Sequence, residues 1–365
     1  MSPKRILIFS LAYHPMVGGA EIAVKEITDR ITDIEFDMIT MRFNAVHPEK
    51  EQIGNCMVYR INTSKNFFPF RAFLFAKKLH SDRPYDATWA IMANWAGFAA
   101  LFFKFRFPQV PFILTLQEGD PIPYIKRKVW FVYPLFKKIF TRADIIQAIS
   151  TYLADWAKNM GYRGQVEVIP NGVDVEKFRP TANNKQPTTN TVLITTSRLA
   201  EKNAVGDIIK ALKFLPNDVI LKIIGTGPLE FELKELARIT GQGSRVKFLG
   251  HIPHYDISKY LHEADIFVRP SLSEGMGNSF IEAMAAGLPV IATPVGGIPD
   301  FLQDGKTGLF CEVNNPKSIA DKVMEYINNP ELTTRIVENA NKMVRERYDW
   351  NLVAREMKER VFDKV

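Results

Sequence analysis

The densest chemistry in this chain lies in two carboxylates and the glycines between them. Glu274 and Glu282, separated by seven residues, bracket Gly275, Met276, Gly277, Asn278 and Ser279 in the stretch PSLSEGMGNSFIEAMAAGLPVIATPVGG. An apolar run at 266–268 is cut by Pro270 and by the two glycines. A helical segment follows over 278–286, ended by Gly287, and a second apolar strand occupies 289–292. Strand, glycine turn, helix and strand together let an α/β sheet present backbone N–H groups to an anion at a helix N-terminus. Glu274, ahead of the turn, would face the ligand, and Glu282, about one turn into the helix, would reach a sugar hydroxyl. The plainer reading is a solvated helix with two surface acids. Against it, glycines on either side of Met276 would only weaken a merely structural helix start.

Three further loops follow apolar runs and precede helical ones. In Pro15-Met-Val-Gly-Gly-Ala-Glu21, Gly18 and Gly19 allow a backbone to approach a phosphate or sugar, although a plain tight turn uses the same pair. In Ser197-Arg-Leu-Ala-Glu-Lys202, Arg198 and Lys202 could clamp a diphosphate, or be an ordinary surface pair. Gly225-Thr-Gly-Pro228 lacks the third glycine of the dinucleotide fingerprint, which argues against NAD, and Pro228 suits a first helical turn. No Asp-x-Asp triplet occurs and histidine is sparse. A divalent metal is therefore not indicated, and Arg198, Lys202 and a helix N-terminus would have to neutralise a diphosphate.

The elements that position these loops alternate in type. Strands are expected at 5–10, 36–41, 57–61, 87–91, 111–116, 145–149 and 166–169, and then at 192–196, 219–224, 246–249, 266–268, 290–292 and 308–311. Helices are expected at 20–31, 71–79 and 151–160 in the first half. In the second they fall at 205–214, 229–240, 257–262, 316–328 and 331–347. Such alternation means parallel sheets in βαβ units. A polar stretch at 179–191, with two prolines, reads as a linker. The expected fold class is α/β: two Rossmann-like domains whose parallel sheets face a cleft, with ligand at the carboxyl ends of the strands.

Composition narrows the setting. A chain of 365 residues, 46% hydrophobic and 24% charged, suits two globular domains. Two cysteines far apart, Cys56 and Cys311, indicate neither a disulfide framework nor a cysteine metal site, and a reducing cytosol is the simplest compartment. The opening MSPKRILIFSLAY loosely resembles a signal peptide, but it lacks a small-residue cleavage site and reads better as a first strand. The longest apolar stretch, 93–103, is too short to span a bilayer, so a soluble or peripheral protein is expected, peripheral on the inner face of the cell membrane. Residues 1–170 carry 22 Lys/Arg against 15 Asp/Glu, and the remainder 25 against 25, so the net +7 belongs to the first half. There, 121–143 holds six basic residues and no acid, interleaved with Trp130, Phe131, Tyr133, Phe136 and Phe140. Another basic, Phe-rich stretch covers 65–78. This mixture suits an anionic lipid surface, or else helices whose aromatics are core and whose bases are solvated. No nucleic-acid motif accompanies it, and Pro134 interrupts any long amphipathic helix.

VIPNGVDVEKF, SRLAEK, GTGPLE, FLGHIP, ADIFVRPS, the Glu274–Glu282 stretch and DGKTGLF occur in the order that resembles glycosyltransferase family 4. The resemblance is specific over 145–315 and thins to MVGGAE and ADIIQAIS before that. It implies GT-B architecture: an acceptor-binding domain at 1–178, a nucleotide-sugar-binding domain at 186–347, and a final segment, 348–365, returning to the first domain. It also implies retaining transfer from a UDP- or GDP-sugar to a glycan or lipid-linked acceptor in cell-envelope or polysaccharide synthesis. Carried over by position, Arg198 and Lys202 would bind the diphosphate and the turn 275–279 would offer N–H groups. Glu274 would position the donor sugar and Glu282 the ribose, while His251 and Ile252 would lie beside the base. Gly19 would lie against the diphosphate, and Gly18 and Gly225 are expected among the donor-binding residues.

One departure concerns the loop after the 111–116 strand. Many family members carry a histidine there, often followed by an acid, whereas this chain reads Thr115-Leu-Gln-Glu-Gly-Asp120. Gln117 hydrogen-bonds but does not titrate, so acid–base work would pass to Glu118 or Asp120. Gln117 and Glu118 are expected at the donor sugar and Asp120 near the acceptor. The alternatives are a catalytically silent sugar-nucleotide-binding protein of a membrane-associated complex, which the loss of histidine favours, and a GT-B-fold epimerase or phosphorylase.

Overall fold

The computed structural model describes residues 3–180 and 190–365; most of the polar stretch expected as a linker, 181–189, lies outside them. The chain forms two compact units, Met1–Asn171 with Trp350–Val365, and Gly172–Asp349. The contact boundary falls ahead of the polar stretch because residues just after Asn171 pack with the second unit: Val173 bridges to Asp349, and the Phe178 carbonyl contacts His262 Nε2 at 3.1 Å.

In the first unit, short runs rich in Ile, Val and Phe become β1 (Lys4–Phe9), β2 (Ile34–Met41), β4 (Cys56–Ile61), β5 (Ala87–Ile91), β6 (Phe112–Leu116), β7 (Ile145–Ala148) and β8 (Val166–Val168), with the polar β3 (Lys50–Ile53) before β4. Their order is β3-β4-β2-β1-β5-β6-β7-β8, and every pair is parallel except β3 with β4. Strands β5 and β6 are buried at every position, as sheet covered on both faces requires. The final helix, Trp350–Arg360, packs on the helix Gly19–Arg30. It places Trp350, Val353, Ala354, Met357, Val361 and Phe362 in the same core as Ile6, Ile8, Phe36 and Trp89. The Phe362 ring meets Trp89 edge-on at 5.1 Å, and Arg360 pairs with Glu167 at 2.8 Å.

The second unit holds β9 (Thr191–Thr196), β10 (Val219–Ile224), β11 (Val246–Gly250), β12 (Ile266–Arg269), β13 (Val290–Ala292) and β14 (Leu309–Phe310). They form one parallel sheet in the order β11-β10-β9-β12-β13-β14. β9 is central and its neighbours β10 and β12 lie on opposite sides of it, so the loops that leave β9 and β12 sit together at one sheet end. That end is a topological switch point, where parallel α/β sheets hold ligands.

Candidate functional site

In the second unit, the turn after β12 is shaped by a left-handed glycine. Gly277 (φ +92°) immediately precedes the helix Asn278–Ala285, and no side chain caps that helix start. A Cβ on Gly277 would lie 2.5 Å from the Phe280 ring, so both conformation and space demand glycine. In place of a side-chain cap, the Gly277 carbonyl accepts from the Phe280 N–H of the first turn at 3.1 Å. Gly296 (φ +57°) closes the turn from the other side: a Cβ there would stand 1.8 Å from the Glu274 carbonyl, and Gly297 N–H donates to that carbonyl at 3.2 Å.

Glu274 is buried (8% exposed) and carries a cation that sequence reasoning overlooked. Arg269, the last residue of β12, donates through Nη2 to Glu274 Oε2 at 2.6 Å and to Asn203 Oδ1 at 3.0 Å, and through Nη1 to Ser279 Oγ at 2.7 Å. Its guanidinium lies 5.3 Å from the centroid of the Phe280 ring. Asn203 Nδ2 donates to the Arg198 carbonyl at 2.5 Å, and Leu272 N–H to the Lys202 carbonyl at 2.7 Å. The loop carrying Arg198 and Lys202 is thereby fastened to the loop carrying Glu274. Arg198 itself is exposed and Lys202 half-buried. The same strand ends hold buried polar atoms without a partner among the described residues: the hydroxyls of Thr195, Thr196, Ser197 and Ser271, and Arg269 Nε.

Glu282 is also buried, and His254 Nε2 lies 2.8 Å from its Oε1. His254 tilts against Phe178 with ring centroids 6.1 Å apart, so an aromatic wall holds the imidazole that meets this carboxylate. The sequence placed His251 and Ile252 in this loop. His251 is exposed and Ile252 half-buried, just past Gly250 (φ +69°). Gly225 and Gly227 are glycines because another backbone occupies the space of a side chain. A Cβ on Gly225 would lie 1.9 Å from the Ser197 carbonyl, and one on Gly227 2.3 Å from the Leu199 carbonyl. The Gly225-Thr-Gly-Pro228 loop thus braces the Arg198 loop.

The first unit brings other candidates to the ends of β5 and β6. Gln117 is buried, and its Oε1 accepts from Asn171 Nδ2 at 3.2 Å. Glu118, expected at the donor sugar, is turned into the protein. Its Oε1 accepts from Ala93 N–H at 2.5 Å and its Oε2 from Gln117 N–H at 2.9 Å. Burial pushes its carboxyl up to about 7; the backbone N–H groups pull the other way, and the nearby Asp120 adds to the rise. Glu118 therefore ties the loop after β6 to the loop after β5, where Met92 takes a left-handed conformation (φ +71°). Asp120 is exposed on the same loop. Beneath it, Trp89 Nε1 donates to Thr115 Oγ1 and Thr115 Oγ1 to Gln147 Oε1, each at 2.7 Å, a polar ladder across β5, β6 and β7. At the end of β1, exposed Gly18 and Gly19 open the helix Gly19–Arg30. It has no side-chain cap, and burial raises the carboxyl of Glu21 in its first turn.

The basic, aromatic stretches of this unit lie partly outside the core. Phe136, Ile139 and Phe140 are buried, whereas Trp130 is 74% and Phe131 63% exposed. The segment breaks into helix Ile122–Lys128, a turn at Trp130–Val132 and helix Tyr133–Thr141, whose first turn holds Pro134. On the helix Phe68–Asp82, Phe70 and Leu74 are exposed beside Arg71, Lys77 and Lys78, and the Phe70 ring stacks on Phe102 at 5.0 Å. Phe105, on the same helix as Phe102 (Trp95–Arg106), is half exposed and lies under Lys138 at 5.8 Å. Three helices thus present one aromatic and basic surface. Among the described residues no helix is long and apolar enough to cross a membrane.

Two parallel, doubly wound sheets with glycine-shaped loops at their strand ends define an α/β protein of GT-B type. The model of the glycosyl transferases group 1 matches residues 176–343 and that of glycosyltransferase family 4 matches residues 17–177, so the chain belongs to the family 4 glycosyltransferases of group 1. It is 28% identical over 342 residues to an uncharacterized glycosyltransferase of Methanocaldococcus jannaschii, covering 93% of this chain and 92% of that one. It is 30% identical over 237 residues to a GDP-mannose-dependent monoacylated alpha-(1-6)-phosphatidylinositol monomannoside mannosyltransferase of Corynebacterium glutamicum, covering 60% and 61%. Among solved structures, HepE of Anabaena in complex with UDP-glucose superposes with a TM-score of 0.82 at 21% identity, over 98% of this chain and 99% of that one.

Proposed function

We propose that the protein is a retaining transferase that moves a sugar from a UDP- or GDP-sugar to a glycan or lipid-linked acceptor in cell-envelope or polysaccharide synthesis. The observation that carries this reading is the Glu274 turn: a buried carboxylate beside an uncapped helix start, fastened to the loop that bears Arg198 and Lys202. In this reading Arg198, Lys202 and the N–H groups of 275–279 meet the diphosphate, with no metal needed to escort it. Glu274 takes the donor sugar and Glu282 the ribose hydroxyls, with His251 and Ile252 beside the base. The bond from the anomeric carbon to the diphosphate breaks while the acceptor oxygen bonds to that carbon on the same face. The acceptor's proton passes to the leaving phosphate oxygen, so a glycosidase-like pair of carboxylates is not required. UDP-glucose in HepE and the GDP-mannose dependence of the mannosyltransferase support a nucleotide-sugar donor.

The exposed aromatic and basic surface supports an acceptor presented at an anionic membrane, as does the lipid named for that mannosyltransferase. The same surface supports work at the inner face of the cell membrane. Incubating purified protein with UDP- and GDP-sugars, with and without lipid acceptors, and measuring nucleotide release tests the reading. Release that Glu274→Gln lowers by about 10³-fold is expected. Tight nucleotide-sugar binding with no release under any acceptor condition would instead favour the silent binding protein, the reading that Gln117 supports.

A further inference from the structure

Arg269 is an unusual occupant for the end of a buried strand. It is 9% exposed, and an arginine so placed costs desolvation that its pairing must offset. Replacement of such a pair by packed apolar side chains is often neutral or stabilising, so stability alone is a poor reason for it. The geometry is also not the one stability alone would select. Nη1 and Nη2 make three hydrogen bonds, while Nε is buried without a partner among the described residues, which is unfavourable. What the arrangement does achieve is orientation. The planar fork meets Glu274 Oε2, Ser279 Oγ and Asn203 Oδ1 at once, and its central carbon lies 5.3 Å from the Phe280 ring centroid. Only Oε2 of Glu274 is taken by this contact.

We propose that Arg269 is a positioning residue for the reaction: with Asn203 and Ser279 it fixes the Glu274 carboxylate so that Oε1 is held toward the donor sugar. The inference rests on the reading of the Glu274 turn as the donor site. It adds a residue that sets how well Glu274 works without itself touching the sugar.

The test uses the full chain with Arg269→Met, Arg269→Lys, Ser279→Ala and Asn203→Ala. For each, kcat and KM for the nucleotide sugar, UDP and GDP affinity by calorimetry, and Tm are measured. Wild-type protein that binds neither UDP nor GDP would overturn the donor reading and this inference with it. With wild-type binding in place, Arg269→Met is expected to lower kcat by about 100-fold, the cost of a displaced reactive group, while nucleoside diphosphate affinity changes little. Arg269→Lys, which keeps the charge and loses the fork, should recover part of that loss. Unchanged kcat in Arg269→Met overturns the inference, and so does a loss of kcat matched by equal losses of diphosphate affinity and Tm. Should Arg269→Met fail to fold, Ser279→Ala and Asn203→Ala each remove one contact, and a smaller kcat loss at constant diphosphate affinity is expected from both. Wild-type kcat in both overturns the inference.

Discussion

Glu118 and Glu274 are buried to nearly the same degree, 9% and 8% exposed, each in a loop that follows a central strand of a parallel sheet. Their partners differ. Glu274 meets a guanidinium through one oxygen, in a network of side chains that also reaches Ser279 and Asn203. Glu118 meets backbone N–H groups through both oxygens, without a cation, and burial drives its carboxyl up to about 7. The first arrangement orients a carboxylate through one oxygen; the second uses both oxygens to join two loops. Burial and sequence context look alike for the two residues, and only the donors around them differ: a side-chain guanidinium at Glu274, backbone N–H groups at Glu118.

The largest effect is expected at Glu274: Glu274→Gln should lower kcat/KM by about 10³-fold, the scale of removing one aimed electrostatic group, with nucleoside diphosphate binding retained. Gly296→Ala forces a side chain onto the Glu274 carbonyl at a positive φ, and chemical denaturation should show a loss of about 3 kcal/mol. For Glu118 the expected effect lies in pH dependence. Its carboxyl is raised from the ordinary 4.5 to about 7, so its stabilising contribution is complete below 4.5 and is lost as pH rises through 7. Glu118→Gln cannot titrate, and the Tm advantage of wild type over this variant should shrink steadily between pH 5 and pH 8. The smallest effect concerns the surface: Trp130→Ser with Phe131→Ser should weaken co-sedimentation with phosphatidylglycerol vesicles while leaving donor hydrolysis unchanged. The residual vesicle binding should fade with salt.

Much of the architecture was legible because parallel strands buried on both faces read as uninterrupted apolar runs. β3 was not, since Lys50-Glu-Gln-Ile53 is a short, polar edge strand that pairs antiparallel with β4. The helix Trp95–Arg106 also escaped, because it is apolar on nearly every side and shows no 3.6-residue alternation. At the site, the glycine turn and the two glutamates stood out through their spacing, but their partners did not. Asn203 lies 66 residues from Arg269 and His254 lies 28 from Glu282, so no local pattern links them. An arginine closing an apolar strand looks like an ordinary strand end. Glu118 is satisfied by backbone donors, which leave no trace in residue types, so its sequence resembled an exposed acid in a catalytic loop.

The most direct test of the account is a paired measurement of kcat/KM for the nucleotide sugar in Glu274→Gln and Glu118→Gln at pH 7, with both variants shown to be folded. Glu274→Gln should lose about 10³-fold and Glu118→Gln less than about tenfold. A loss in Glu118→Gln that equals or exceeds the loss in Glu274→Gln would contradict it, and would make the carboxylate after β6 the reactive one.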